Sequence, residues 1–289
     1  MHFDVLFDRG EPNALDDPAY EIYGPLGFPE PPPDRPWIYT NFVQSLDGIV
    51  SLKGRHALGA DLSQSAEDRW LMDLLRTHAD AVLIGVNTLV EEMQQGPHPR
   101  GPVFRIMEEP LRELRRKLGR KREINIFVTG AARLELSEYA VFDGDKVDAV
   151  ILTTKLGASR LARRRSHPHV RVIACGEKEV VPVAEAMRIL RHELGLRYLL
   201  CEGGPTLYGH VARAGLVDEK FVTVSPVEVG QCIPSEQGPS EAEREDPPKR
   251  RPTVFDGAPG FTKETAPWWH WISCRRAGEH QFSRYRVIR

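Results

Sequence analysis

The stretch Leu199-Leu-Cys-Glu-Gly-Gly-Pro-Thr-Leu-Tyr-Gly-His-Val-Ala-Arg-Ala-Gly-Leu-Val-Asp-Glu219 passes from an apolar run, through two glycines and a proline, into a helical pattern that stops at Gly215. The apolar run suits a strand covered on both faces. Pro205 suits the first helical turn, where no N–H is needed. A strand feeding a helix in this way is the unit of an α/β sheet, and it leaves backbone N–H groups unpaired at the helix start. Gly203 and Gly204 let a ligand approach the backbone. The free N–H groups and the positive end of the helix dipole favour an anion such as a phosphate. The plainer alternative is a tight turn whose glycines relieve crowding. Glu202 ends the strand, where a carboxylate must find hydrogen-bond donors. It either faces a ligand at the C-terminal edge of the sheet or caps the following helix.

The alternation repeats outward from this unit. Residues 37–45 read as a strand by β-branched and aromatic content. Ser65 with Asp68 resembles a capping box, and Ala66, Trp70, Leu71, Leu74 and Leu75 recur behind it at helical spacing. Residues 79–85 form a short apolar strand, followed by a short helix over 87–93. Residues 124–129, 148–153 and 170–175 are strand-like. Residues 159–165 form a short basic helix, and 183–194 an amphipathic one. After Gly215 the pattern changes: 220–225, 269–273 and 282–288 look like strands with no helix between them. The expected fold is α/β, a mostly parallel mixed sheet flanked by helices, with antiparallel C-terminal strands. Residues 8–36 are rich in Pro, Asp and Glu, so 1–35 are expected to be an irregular N-terminal arm, and 36–289 one domain. Within it, 52–62 read as a loop and the polar, Pro-rich segment 231–267 as a surface excursion.

Composition narrows the function. The formal net charge of −2 offers no long-range attraction to nucleic acid or to an anionic membrane. No apolar run reaches bilayer length, and the first residues lack the pattern of a signal peptide, so the expectation is a cytoplasmic protein. The four cysteines are scattered with no Cys-x-x-Cys, and no metal site is expected. His167-Pro-His169 has no third ligand nearby and reads as a loop. The fingerprints of a standard dinucleotide-binding fold, a P-loop, a zincin and a nucleophile elbow are all absent.

Two further junctions resemble the first. Val43-Gln-Ser-Leu-Asp-Gly48 ends a strand in Ser45 and Asp47 before a glycine turn, an ordinary turn pair when taken alone. Ile84-Gly-Val-Asn-Thr88 is another strand–Gly–helix passage, with Glu91 and Glu92 one turn on. A doubly wound sheet collects such junctions along one edge.

Ser45-Leu-Asp-Gly48, residues 74–88 with Glu92, Glu202-Gly-Gly-Pro-Thr-Leu207, residues 215–219 and Ser225-Pro226 stand in this order. Together they resemble the C-terminal reductase domain of bacterial riboflavin-specific deaminase-reductases (RibD), which has the dihydrofolate-reductase-like fold. The similarity covers residues 36–230, and the closing strand fits as well. The resemblance implies an NADPH-dependent reductase that converts a ribosylamino-pyrimidinone 5′-phosphate to its ribitylamino form, with hydride passing to C1′ of the opened sugar. By matching position, residues 204–210 hold the cofactor's pyrophosphate. Cofactor contacts fall at Gln44, Gly85, Thr88, Glu92, Thr129, Gly203, Gly204, Pro205, Thr206 and Leu207. Substrate contacts fall at Ser45, Asp47, Arg76 and Glu202. Apart from the resemblance, Thr129, Thr153, Thr154 and Lys155 stand near strand ends where a 2′-phosphate can be held, and the basic run 163–165 reads as a solvated helix end, with a 2′-phosphate contact as its sharper alternative. No residue is singled out as a catalytic proton donor, since such chemistry rests on positioning two bound partners. A homodimer is expected, with a phosphorylated pyrimidine as the small-molecule partner.

The chain departs from the family in three places. The zinc-deaminase signatures are missing, so deamination is not expected. Residues 60–63 replace the Ser-x-Trp-Ile segment, and residues 93–99 replace the Asp-Pro-x-Leu-Thr segment, both of which face substrate in the family. The alternatives are a reductase of the same fold on another pterin- or pyrimidine-like compound, and a catalytically silent nucleotide-binding protein.

Overall fold

In the computed structural model, which describes residues 1–13, 15–52, 59–164, 167–177, 179–233 and 250–289, ten strands form one sheet. In chain order they are β1 (Asp4–Asp8), β2 (Trp37–Gln44), β3 (Ala81–Gly85), β4 (Ile124–Thr129), β5 (Asp148–Thr153), β6 (Val170–Ala174), β7 (Tyr198–Gly203), β8 (Glu219–Val224), β9 (Trp269–Ala277) and β10 (His280–Val287). The helices are α1 (Pro18–Tyr23), α2 (Gly59–Ser63), α3 (Ala66–His78), α4 (Val86–Gln95), α5 (Glu109–Lys117), α6 (Lys155–Ala162), α7 (Val183–Leu194) and α8 (Pro205–Arg213).

The strand order is β1-β9-β10-β8-β2-β7-β3-β4-β5-β6. From β8 to β6 every pair is parallel, and β8, β10, β9 and β1 pair antiparallel. This is the mixed, mostly parallel sheet expected from the alternation. The apolar strands run through two cores. In β3, Val82 and Ile84 join the core that holds Trp70, Leu71, Leu74 and Leu75 of α3, whereas Ala81 and Leu83 join the one built on α7 and α8. A strand feeding a core on each face has no room for polar alternation, which is why β3 and β7 are nearly all apolar. Ser65 caps α3, its hydroxyl accepting from the Asp68 N–H at 3.1 Å.

The expected irregular arm over 1–35 carries β1 and α1. Side chains of β1 are half-buried or exposed, so no apolar alternation marks it. Its order comes from partners far along the chain. β1 pairs with β9, the fully buried Arg275 binds Asp8 and the Tyr23 carbonyl, and Arg286 binds Glu11 at 2.7 Å. Helix α5, which is mostly charged and buries Leu111, Leu114 and Arg115, was also not expected. Helix α6 begins at Lys155 rather than at residue 159, because the Thr154 hydroxyl caps it at the Gly157 N–H. The expected loop 52–62 contains the start of α2, and its residues 53–58 lie outside the described residues. So do residues 234–249 of the expected excursion. Its return, from residue 250, packs onto the sheet's second face. Val254 and Phe255 join the α7–α8 core, and the Asp256 carbonyl comes so close to Gly209 that a side chain there would lie 2.1 Å from it.

Candidate active site

β7 lies between β2 and β3, so the C-terminal ends of these neighbours surround the Gly203–Gly204 turn. Gly203 has φ +88°, a conformation glycine adopts without strain, and a Cβ there would lie 2.9 Å from the Phe42 ring. The peptide joining Gly203 to Gly204 is cis. Helix α8 starts at once with Pro205, and α4 starts at Val86 on the end of the neighbouring strand. Neither helix has a side-chain cap at its N-terminus. The N–H groups of the first turns at Thr206 and Leu207 are therefore available to a ligand. Thr88 ties the two junctions together: its Oγ1 accepts from the Gly204 N–H at 3.0 Å.

Two cavities open at this edge. The smaller, about 440 Å³, is walled by Gly85–Thr88, by Val128–Gly130 at the end of β4, by Glu179–Val181, and by residues 204–207. The larger, about 560 Å³, is walled by Asn41–Val43, by α3 from Ser65 to Arg76, by Glu92, by Phe104 and by Glu202. They share Thr88, Glu91, Gly204 and Pro205. Two cavities, each within the size range of small-molecule pockets, thus meet over the glycine turn.

The charged groups of the larger cavity are coupled. Arg76 and Glu202 form a bidentate pair, Nε to Oε1 at 2.7 Å and Nη2 to Oε2 at 2.7 Å. Nη1 of Arg76 reaches the Asp73 carboxylate at 3.3 Å and the Arg105 carbonyl at 3.1 Å. Burial works against the guanidinium charge, but the carboxylate of Glu202 outweighs it and raises the Arg76 pKa above its usual value. Glu92 lies within the field of this pair. Burial, followed by the charge of Glu202, pushes its carboxyl up to about 7 from the ordinary 4.5, while Arg76 pulls the other way.

A family model described as the RibD C-terminal domain matches residues 36–247. The chain belongs to that family. A 2,5-diamino-6-ribosylamino-4(3H)-pyrimidinone 5′-phosphate reductase from Archaeoglobus fulgidus is 28% identical over 200 residues, 68% of this chain and 83% of that protein. The protein of the same name from Methanothermobacter thermautotrophicus is 25% identical over 196 residues, 68% of this chain and 80% of that protein. Among solved structures, a pyrimidine reductase-like protein from Corynebacterium diphtheriae superposes with a TM-score of 0.61 at 22% identity, covering 89% of this chain and 93% of that one. The fold is thus that of the RibD reductases, and the chain is a distant member of the pyrimidine reductase family.

The sites expected from the family pattern are distributed unevenly. Gly85, Thr88, Thr129, Gly204, Pro205, Thr206 and Leu207 line the smaller cavity; Arg76, Glu92 and Glu202 line the larger one. Gly203 forms the turn itself. Gln44, Ser45 and Asp47 line neither cavity. The Ser45 hydroxyl is buried and binds Asp47 at 2.6 Å, and Asp47 accepts the Gly230 N–H at 2.7 Å. Their polar groups stitch the turn after β2 to the strand exit at 227–230. The wall over Glu179–Val183, together with Asp256 and His210, was not anticipated. Loop 176–182 carries no motif, and Asp256 sits on a segment read as an excursion. The glycine at 209, against which Asp256 packs, was the available signal. Among the described residues, no group of three His, Cys, Asp or Glu side chains could hold a metal ion, and no helix is long and apolar enough to cross a membrane.

Proposed function

We propose that the chain is a reductase that transfers hydride from a nicotinamide dinucleotide in the smaller cavity to a ribosylamino-pyrimidinone 5′-phosphate in the larger one. The observation that carries this reading is the meeting of the two cavities at Thr88, Gly204 and Pro205, in a chain of the RibD reductase family. The residues present fit the dinucleotide. The glycine turn leaves room for it, and the α8 N–H groups at Thr206 and Leu207 suit a pyrophosphate. When bound, the dihydronicotinamide supplies the hydride. The resemblance adds the 2′-phosphate of NADPH.

The protein's share is positioning. Reduction adds a hydride to C1′ of the opened sugar and a proton to the attached nitrogen. Glu92, beside the meeting point, carries the carboxyl whose proton exchanges near neutral pH. The Arg76–Glu202 pair braces the wall behind it.

The same pair supports a second reading, a same-fold reductase on another pyrimidine- or pterin-like compound. The Arg76 guanidinium, expected to contact the substrate, is engaged by carboxylates. The test is oxidation of the reduced dinucleotide by the purified chain. The panel holds 2,5-diamino-6-ribosylamino-4(3H)-pyrimidinone 5′-phosphate, its uracil counterpart and unphosphorylated pterins. Turnover of the first compound supports the proposal, and turnover of a pterin alone supports the second reading. Dinucleotide binding without turnover of any of them sinks both and favours a silent nucleotide-binding protein.

A further inference from the structure

Three of the four groups near strand ends that were expected to hold the 2′-phosphate of NADPH are committed elsewhere. Thr153 and Thr154 are fully buried, and both hydroxyls donate to the Gly130 carbonyl; Thr154 also caps α6. The ammonium of Lys155 binds Glu177 at 2.5 Å on the surface. Only Thr129 of that set lines the smaller cavity.

The lining of that cavity has the opposite charge. Its charged side chains among the described residues are Glu91, Glu179 and Asp256, and His210 is its one ionisable base. No described lysine or arginine lines it. The direction of a bound dinucleotide follows from the proposed function, on which this inference rests. The nicotinamide must lie at the meeting of the cavities, by Thr88 and Gly204. The pyrophosphate lies at the start of α8. The adenosine half then extends to the remaining wall, formed by Val128–Gly130 and by residues 179–183. Val180, Val181 and Val183 are the apolar part of that wall, and Glu179, exposed to solvent and without a described ion-pair partner, is its acidic part.

A carboxylate at the adenosine ribose accepts a hydrogen bond from a free 2′-hydroxyl, whereas a 2′-phosphate is received by an arginine or by other strong donors. We infer that the smaller cavity takes NADH in preference to NADPH, and that Glu179 sets the choice. A phosphate carrying about two charges is repelled by a neighbouring carboxylate even in a solvated site, and the preference expected is about tenfold, or about 1.4 kcal/mol.

The test is titration of the purified chain with NADH and with NADPH, read by dinucleotide fluorescence and by calorimetry. NADH binds about tenfold tighter, and the difference shrinks as salt is raised, because the repulsion is screened. Glu179→Gln narrows the preference and Glu179→Lys reverses it. The side chain at 179 is exposed, so both variants retain the parent's melting temperature. Equal or tighter binding of NADPH by the unmodified chain overturns the inference, as does a ratio unmoved by Glu179→Lys. Binding of neither dinucleotide overturns the cofactor part of the proposed function itself, a result distinct from a reversed preference.

Discussion

Glu202→Gln distinguishes a substrate ligand from a structural brace. In sequence, Glu202 and Arg76 look like two groups facing a ligand. In the fold they face each other, with both side chains 8% exposed and two hydrogen bonds of 2.7 Å between them. Removing one partner of a buried pair costs about 3–5 kcal/mol, because the remaining charge stays buried. Glutamine keeps one acceptor oxygen, and the Asp73 carboxylate and Arg105 carbonyl still receive Nη1, so the lower end, about 3 kcal/mol, applies. At roughly 2 °C per kcal/mol for a chain of this size, the melting temperature drops by about 6 °C. Arg76→Met alone strands Glu202 and costs as much or more. The double variant Arg76→Met/Glu202→Gln leaves neither charge of the pair, and Asp73 keeps the Met107 N–H at 2.7 Å. It therefore recovers much of the loss, giving a coupling energy of about 2 kcal/mol in a double-mutant cycle. The assay is calorimetric melting of the four proteins, with turnover measured in parallel. If Glu202→Gln melts within about 1 °C of the parent while turnover collapses, the brace reasoning is wrong and the residue acts on the substrate.

Glu92 makes stability depend on pH. Its carboxyl titrates at about 7 in the folded chain against 4.5 ordinarily. The folded state therefore holds the proton more tightly, and stability is lost as pH rises through that window. Glu92→Gln is more stable than the parent above pH 7, by at most about 3 kcal/mol, and the gap closes towards pH 4.5. Urea unfolding across this range that gives parallel curves would contradict the assignment. Gly204→Val places a Cβ 2.9 Å from Thr88 Oγ1, the atom that accepts the Gly204 N–H, and crowds the floor shared by both cavities. Dinucleotide affinity is expected to fall by about tenfold or more with the circular dichroism spectrum retained; unchanged affinity removes the turn from the cofactor site.

Much of the fold was legible because its signals are local. The apolar runs of β3 and β7 announce strands buried on both faces, and Pro205 after two glycines announces a helix start. Periodicity and turn chemistry act over a few residues, so the alternation and the glycine turn could be read directly from the sequence. Resemblance pointed to Thr88, Glu92 and Thr129, and the fold brings Thr88 and Thr129 to the smaller cavity and Thr88 and Glu92 to the larger. The rest depends on contacts between distant residues. β1 has no pattern of its own and is held by Arg275 and by pairing with β9, more than 250 residues away. Ser45 and Asp47 carry site-like residue types, yet their oxygens are used by a turn that reaches residues 229 and 230. Arg76 and Glu202 lie 126 positions apart, and a charge alone does not state whether its partner is a ligand or another side chain. The acidic wall at Glu179 and Asp256 likewise exists only because residue 179 comes against Gly130 and residue 256 against Gly209 of α8. Sequence by itself marked the turn at 203–204 as backbone with open space beside it, since that is a property of φ, ψ and missing side chains. Only the tertiary structure decided which charges surround the cradle, since electrostatic partnership is set by distance in space.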